Sequence, residues 1–169
     1  RFLIVDGVVS TYIHGKGSTG VIVNFEVDEN VKNSPAFAEV AKNVALQVAA
    51  MPVLYLNKES VPEKDLEEEK AIILAQLNND PKNANKPEAV LDKIIEGKLN
   101  KHFEEVCLLN QAFIKDGDKT VQDVINDLTL VIGEKITVRR FARWEVGEGL
   151  EKRQDDFAAE VAAQSAGNV

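Results

Sequence analysis

The sequence predicts an α+β fold in which two small α/β subdomains flank a helical hairpin. The first third contains a β-hairpin pattern followed by a helix. The middle contains two long helical patterns joined by a polar connection, and the last third contains a helix followed by a long strand. We therefore divide the chain into an N-terminal α/β subdomain (1–57), a helical hairpin (58–110) and a C-terminal α/β subdomain with its tail (111–169).

The β-hairpin is predicted over residues 8–28. Residues 8–14 are rich in β-branched and aromatic side chains, and residues 21–28 alternate between apolar and polar, as a half-buried strand does. The glycines in residues 15–20 supply the turn. A strand rather than a helix follows these glycines, so they indicate a hairpin and not a phosphate-binding loop.

A helix follows the hairpin and a short strand follows the helix. Ser34 is a suitable N-cap, Pro35 suits the first helical position, and Pro52 ends the helix. Apolar residues between them recur at helical spacing, so one face packs on a core. Residues 53–56 are short, apolar and strand-like, and we expect them to complete a small sheet with the hairpin.

The middle third predicts an antiparallel helical hairpin. Ser60 and Glu63 have the spacing of a capping box at the start of the first helix. Residues 78–86 are rich in Asn, Asp, Lys and Pro and form the connection. A second long helix begins at Pro87, and a short polar connection of this kind favours antiparallel neighbours.

The last third repeats the combination of helix and strand. Residues 111–114 are predicted to be extended, Thr120 caps a helix, and Gly133 ends it. Residues 135–146 predict a long strand, and the tail predicts a helix over 155–164. The residues of the long strand expected to share one face are Ile136, Val138, Ala142, Trp144 and Val146.

Composition and charge narrow the classes of function. The chain is 44% hydrophobic and 28% charged, which is ordinary for a globular protein. No apolar run approaches the ~20 residues that a membrane-spanning helix needs, so we expect no membrane partner. The net charge of −8 disfavours nucleic acid as a direct partner, because affinity for phosphates comes mainly from Lys and Arg. The chain begins at Arg1 without an initiator methionine, so we expect a fragment or a processed chain.

No catalytic, metal or cofactor site is predicted. One cysteine and two histidines do not make a structural zinc site. Cys107 lies in an apolar run and is interpreted as a buried thiol, with an intermolecular disulfide as the alternative.

For the two histidines, His14 and His102, we favour structural or solvent-facing roles, although His14 also fits contact with a partner. For the three arginines of the last strand, we favour ion pairs within this acidic protein over contact with RNA. They are Arg139, Arg140 and Arg143. A small α/β enzyme unrelated to any motif here is a further reading, and no residue pattern favours it.

Four stretches of the sequence carry a family resemblance. They contain YIHG followed by GVIV (12–23), NVALQVAA (43–50), KIIEGKLNKHFEEVCLLN (93–110) and GEKITVRRFARWEVGEGLEK (133–152). These stretches resemble the elongation factor Ts family, and the last two are long and distinctive. The resemblance extends from about Arg1 to Gln164.

The resemblance implies a fold, a partner and a role in translation. The family's dimerisation-domain fold has two α/β subdomains with small antiparallel sheets and a helical hairpin. Its members bind elongation factor Tu in the cytoplasm, disturb the magnesium and phosphate end of the nucleotide site, and promote exchange of GDP for GTP. This role involves no covalent chemistry and no cofactor, so the chain is not expected to be an enzyme. The compact length resembles that of short members, in which two chains can pair, which implies a homodimer.

The resemblance also places a partner-binding site after the second strand of the hairpin. The family's contact motif, NCETDFVAKN, corresponds here to NFEVDENVKN at residues 24–33. The residues expected to contact the partner are Asp28, Glu29, Asn30, Val31, Lys32 and Asn33, together with His14.

This segment differs from the family motif at five of its ten positions, and two of these differences bear on the expected contact. Val27 replaces the threonine, and Glu29 replaces the phenylalanine that the family inserts beside the partner's nucleotide site. A glutamate does not fill an apolar pocket without a large desolvation cost. The alternative is therefore an exchange-impaired structural or protein-binding module with the same fold. The family's N-terminal helical domain, which docks on the partner, has no counterpart in these residues, so we expect lower affinity.

Overall fold

A computed structural model describes residues 4–83 and 86–150 of the chain. The strands are β1 (Val8–His14), β2 (Thr19–Val27), β3 (Ala112–Phe113), β4 (Asp116–Thr120) and β5 (Ile136–Glu145). The helices are α1 (Glu29–Lys32), α2 (Pro35–Ala50), α3 (Glu63–Asn79), α4 (Glu88–Val106) and α5 (Val121–Ile132). The helix expected over 155–164 lies outside the described residues.

The strands form two small antiparallel sheets. The larger sheet has the order β1-β2-β5, so its central strand pairs with one neighbour in sequence and one from the last third of the chain. The smaller sheet is the hairpin of β3 and β4. Together with the helices, the two sheets confirm the predicted α+β class.

The main core lies between the larger sheet, α2 and α5. Phe25 of β2 and Phe37 of α2 meet edge to face, with ring centroids 5.4 Å apart. Buried residues of α5 and β5 join the same cluster, so the first and last thirds of the chain share one core. Helices α3 and α4 pack on each other through a separate small cluster centred on Ile73, Leu77 and Leu99.

The predicted helix caps are largely confirmed. The Ser34 hydroxyl accepts a hydrogen bond from the Phe37 amide, and Thr120 forms a capping box with Asp123. Gly133 ends α5 in the left-handed conformation (φ 80°), which a glycine adopts without a steric cost. Ser60 was expected to pair with Glu63, but it forms its capping box with Asn57, one turn earlier.

The expectation that residues 53–56 complete the sheet is wrong. The position beside β2 is occupied by β5, and the backbone of this segment is paired elsewhere. Tyr55 instead forms a parallel bridge with Cys107. The amides of Leu54 and Leu108 donate to the carbonyls of Val106 and Tyr55, each at 2.9 Å. The segment therefore ties the end of α4 to the end of α2.

The expectation that five residues of the last strand share one face is also wrong. The register places Asn24 opposite Arg140 but Phe25 opposite Val138, so Arg139 is an extra residue on β5. Such a bulge reverses the alternation of side chains beyond it. Phe141 consequently packs against the core, whereas Ala142 and Trp144 lie on the other face of the sheet.

Candidate functional site

The segment that the sequence predicts to bind a partner is an exposed turn at the end of the central strand. Asp28 follows β2 in an extended conformation (φ −71°, ψ 160°), and α1 then makes a single helical turn that ends at Asn33. Val31 is fully buried in the main core, while its neighbours on both sides are exposed. One apolar anchor therefore holds a turn whose outer surface is polar.

The outer surface of this turn carries both signs of charge. Glu29 and Lys32 form an ion pair with an N–O distance of 2.5 Å, and the Glu29 side chain is 85% exposed. Surface pairs of this kind contribute little to stability, because water screens them. Glu29 is therefore available to a partner, but it offers a carboxylate where the family motif has an aromatic ring.

A carboxyl group from the last third of the chain lies beside Asp28. Glu134 is half-buried directly after Gly133, and its hydrogen bond with Asp28, together with the charge of Asp28, raises the pKa of the Glu134 carboxyl. Glu134 could not be predicted from the sequence as part of this site, because residues separated by more than 100 positions give no periodic or motif signal. An open cleft of about 390 Å³ next to this pair is lined by Glu26, Val27, Asp28, Lys135 and Thr137.

His14 lies away from the other predicted contact residues. It ends β1 and pairs in register with Thr19 at the start of β2, whereas Asp28 follows the end of β2. The nine residues of β2 span roughly 30 Å at ~3.3 Å per residue. His14 is exposed, and its ring stacks on Tyr12 with centroids 6.1 Å apart. The structure therefore brings Asp28 to Asn33 together and leaves His14 at the opposite end of the sheet.

Among the residues that the structure describes, the remaining reactive groups do not converge on a second site. Cys107 is fully buried, and burial raises the pKa of its thiol. Within the described ranges, no group of three or more His, Cys, Asp and Glu residues is placed to hold a metal ion. In the same ranges, no helix is both long and apolar enough to cross a membrane.

The fold and the site define a class: an α+β domain with two small antiparallel sheets and a polar turn exposed at the end of its central strand. A family model described as Elongation factor TS matches residues 1–148. The chain belongs to the elongation factor Ts family, which confirms the resemblance seen in the four sequence stretches.

Relatives named Elongation factor Ts match over nearly the whole chain. The protein from Desulforamulus reducens is 52% identical over 164 residues, which cover 96% of this chain and 73% of the relative. The protein from Syntrophomonas wolfei is 49% identical over 161 residues, covering 94% and 73%. The protein from Desulfitobacterium hafniense is 47% identical over 160 residues, covering 94% and 72%.

Proposed function

We propose that the chain binds elongation factor Tu in the cytoplasm and promotes exchange of its bound GDP for GTP, without covalent chemistry. Membership of the elongation factor Ts family, on a match that includes the Asp28–Asn33 turn, is the observation that carries the proposal. The geometry supports it, because the turn is anchored by Val31 and presents its polar side chains to solvent.

The proposed exchange follows from differential binding. A protein that binds the nucleotide-free state of its partner more tightly than the GDP-bound state weakens GDP binding by the same factor. Asp28 is the residue of the turn best suited to such a contact. It is exposed and follows β2 in an extended conformation, so its carboxyl oxygens are accessible to hydrogen-bond donors of a partner.

The test is release of fluorescent GDP from the elongation factor Tu of Desulforamulus reducens. We expect this chain at saturating concentration to accelerate release, with the related Ts protein of that organism as the positive control. Asp28→Ala should lower the acceleration about tenfold, the effect of losing one hydrogen bond to a charged group. Asp92→Ala, an exposed change on α4, should have no effect. Absence of acceleration by the unaltered chain contradicts the proposal.

The second candidate function is that of an exchange-impaired binding module. The observation that favours it is that Glu29 stands where the family motif has a phenylalanine. If this candidate is correct, the unaltered chain binds elongation factor Tu without accelerating GDP release, and Glu29→Phe restores acceleration by supplying an apolar ring. Glu29→Gln is the matched control, because it removes the charge without adding a ring. An unaltered chain that is already active, and that Glu29→Phe leaves unchanged, rules this candidate out.

We also propose that two copies of the chain pair through the open face of the larger sheet. This face is opposite α2 and carries the side chains that the bulge in β5 turns away from the core. Ile13 is 72% exposed there, and Ile22, Ala142 and Trp144 are half-buried. Sheets that pack face to face bury apolar side chains of this kind, so a homodimer would remove them from water.

A further inference from the structure

The helical hairpin formed by α3 and α4 has a core of its own. Its buried residues are Ile73, Leu77 and Leu99, and four partly buried residues of the same two helices pack against them. Among the described residues, none from α3 or α4 belongs to the main core, where seventeen apolar residues are buried. Loss of the packing within the helical hairpin therefore leaves the contacts of the main core in place.

The core of the helical hairpin is small for the length of its helices. In the part of the chain that the structure describes, helices of 17 and 19 residues are joined by only three buried apolar side chains. Further contacts between the helices are polar. Lys98 Nζ donates to the Gln76 side chain at 3.3 Å, and His102 Nδ1 lies 3.8 Å from the Glu69 carboxylate. Since water reaches such contacts, they contribute little free energy, and the stability of the helical hairpin rests on its small core.

The base of the helical hairpin is fastened to the main body by backbone hydrogen bonds. The carbonyl of Val106, the last residue of α4, accepts from the Leu54 amide at 2.9 Å. The Leu108 amide donates to the Tyr55 carbonyl at 2.9 Å, and Leu108 is fully buried in the main core. The structure of the main body therefore extends to the end of α4.

Two side-chain hydrogen bonds connect this base to the helices themselves. The Tyr55 hydroxyl donates to the Asp65 carboxylate in the first turn of α3, at 2.6 Å. Lys58 Nζ donates to the Asn100 side chain of α4 at 2.9 Å, and this bond is exposed. A single hydrogen bond contributes little beside the burial of a whole core, because its donor and acceptor bond to water when it breaks. These contacts do not make the helices part of the main core.

We propose that the helical hairpin opens as one cooperative unit while the two sheets, α2 and α5 remain folded. Local opening requires least free energy where few apolar contacts are buried. It is cooperative here because α3 and α4 both contribute to the one small core, so neither helix keeps that core without the other. The unit ends at the last turn of α4. The opening is independent of the proposed exchange function, because Val31 holds the Asp28 turn in the main core.

The test is native-state hydrogen exchange of the isotope-labelled 169-residue chain, followed by NMR at urea concentrations below the unfolding transition. We expect the amides within residues 67–78 and 92–102 to share one dependence on urea. They should exchange at least about tenfold faster than the most protected amides of β2 and α2, which report global unfolding. The Leu108 amide, on the body side of the boundary, should exchange with the slower set.

Two matched substitutions separate the helical hairpin from the main body. Ile73 is 3% exposed in the core of the helical hairpin, and Ile125 is 2% exposed in the main core. Ile73→Val should speed exchange of the amides of the helical hairpin about fivefold, the effect of losing one buried methyl group, and leave the slower set unchanged. Ile125→Val should speed the slower set by the same factor and leave the helical hairpin unchanged.

Four results overturn the proposal. A single dependence on urea for both sets of amides, or equal acceleration of both sets by Ile73→Val, would show that the chain opens only as a whole. Acceleration of the helical hairpin by Ile125→Val would show that its opening requires the main core to unfold. Amides of the helical hairpin that exchange without urea as fast as those of an unfolded peptide would show that it is not a folded unit.

Discussion

At the scale of single residues, Asp28 after β2 and Glu134 before β5 lie beside each other at the proposed partner site. Neither carboxyl belongs to a buried network, so the pair does not account for the stability of the fold. Its effect is on protonation: the neighbouring carboxylate raises the pKa of Glu134 above its usual 4.5.

We predict that Asp28→Asn returns the pKa of Glu134 to its usual value or below, because an amide can donate to the Glu134 carboxylate and carries no charge. Carbon-13 NMR titration of the side-chain carboxyl carbons measures this. Glu96→Gln, an exposed change on α4, is the control and should leave the pKa of Glu134 unaltered. A raised pKa that persists in Asp28→Asn would show that another group causes it.

The same pair sets the sign of a pH effect on stability. The folded chain holds a proton on Glu134 more tightly than the unfolded chain does, so the free energy of unfolding falls as pH rises from 4.5 through the raised value. The contribution of Glu134 to this fall should be absent from Glu134→Gln, because the amide does not titrate. Urea unfolding at a series of pH values measures it.

At the scale of elements, two buried glutamines fasten α2 to the last third of the chain. Gln47 of α2 donates to the Gln111 side chain at 3.1 Å and to the Ala112 carbonyl at 2.9 Å, and accepts from the Ile114 amide at 2.9 Å. Gln111 donates in turn to the Glu105 carbonyl at 2.7 Å. All polar groups of this network are satisfied, so it fixes β3 against α2 and the end of α4.

We predict that Gln47→Leu lowers the free energy of unfolding by about 3 kcal/mol. The leucine fills a similar volume but leaves buried backbone groups without partners, each costing ~1–3 kcal/mol. Urea unfolding followed by circular dichroism measures the loss. Gln76→Leu on α3, where the side chain is exposed, should change stability by less than ~0.5 kcal/mol. Equal losses in both variants would contradict a role for the network.

At the scale of the whole molecule, the proposed homodimer follows from the open face of the larger sheet. We predict that Ile13→Lys weakens self-association at least about tenfold, because it places a charge in an apolar interface. Sedimentation equilibrium over a range of concentrations measures this. Val131→Lys, at an 80% exposed position on α5, is the control. A chain that remains monomeric at all concentrations, or dimers unaffected by Ile13→Lys, would contradict pairing through this face.

Much of the local structure could be predicted because its signals are local. The hairpin follows from alternation and glycines, and the ends of α2 and α5 follow from Ser34, Thr120 and Gly133, which act within four residues of themselves. The helical hairpin follows from two apolar stripes and a polar connection. The candidate site at Asp28 could be placed only through the family resemblance, because an exposed polar turn has no periodicity of its own.

The sequence by itself determined the α+β class, the caps of α2 and α5 and membership of the elongation factor Ts family, since these depend on residues close together in the chain. The tertiary structure decided which strand lies beside β2, and therefore that Tyr55 pairs with Cys107 instead. It also decided that the bulge at Arg139 turns Trp144 away from the core and that Glu134 meets Asp28. Each of these outcomes depends on contacts between distant residues, whose energies are settled only when the whole chain packs.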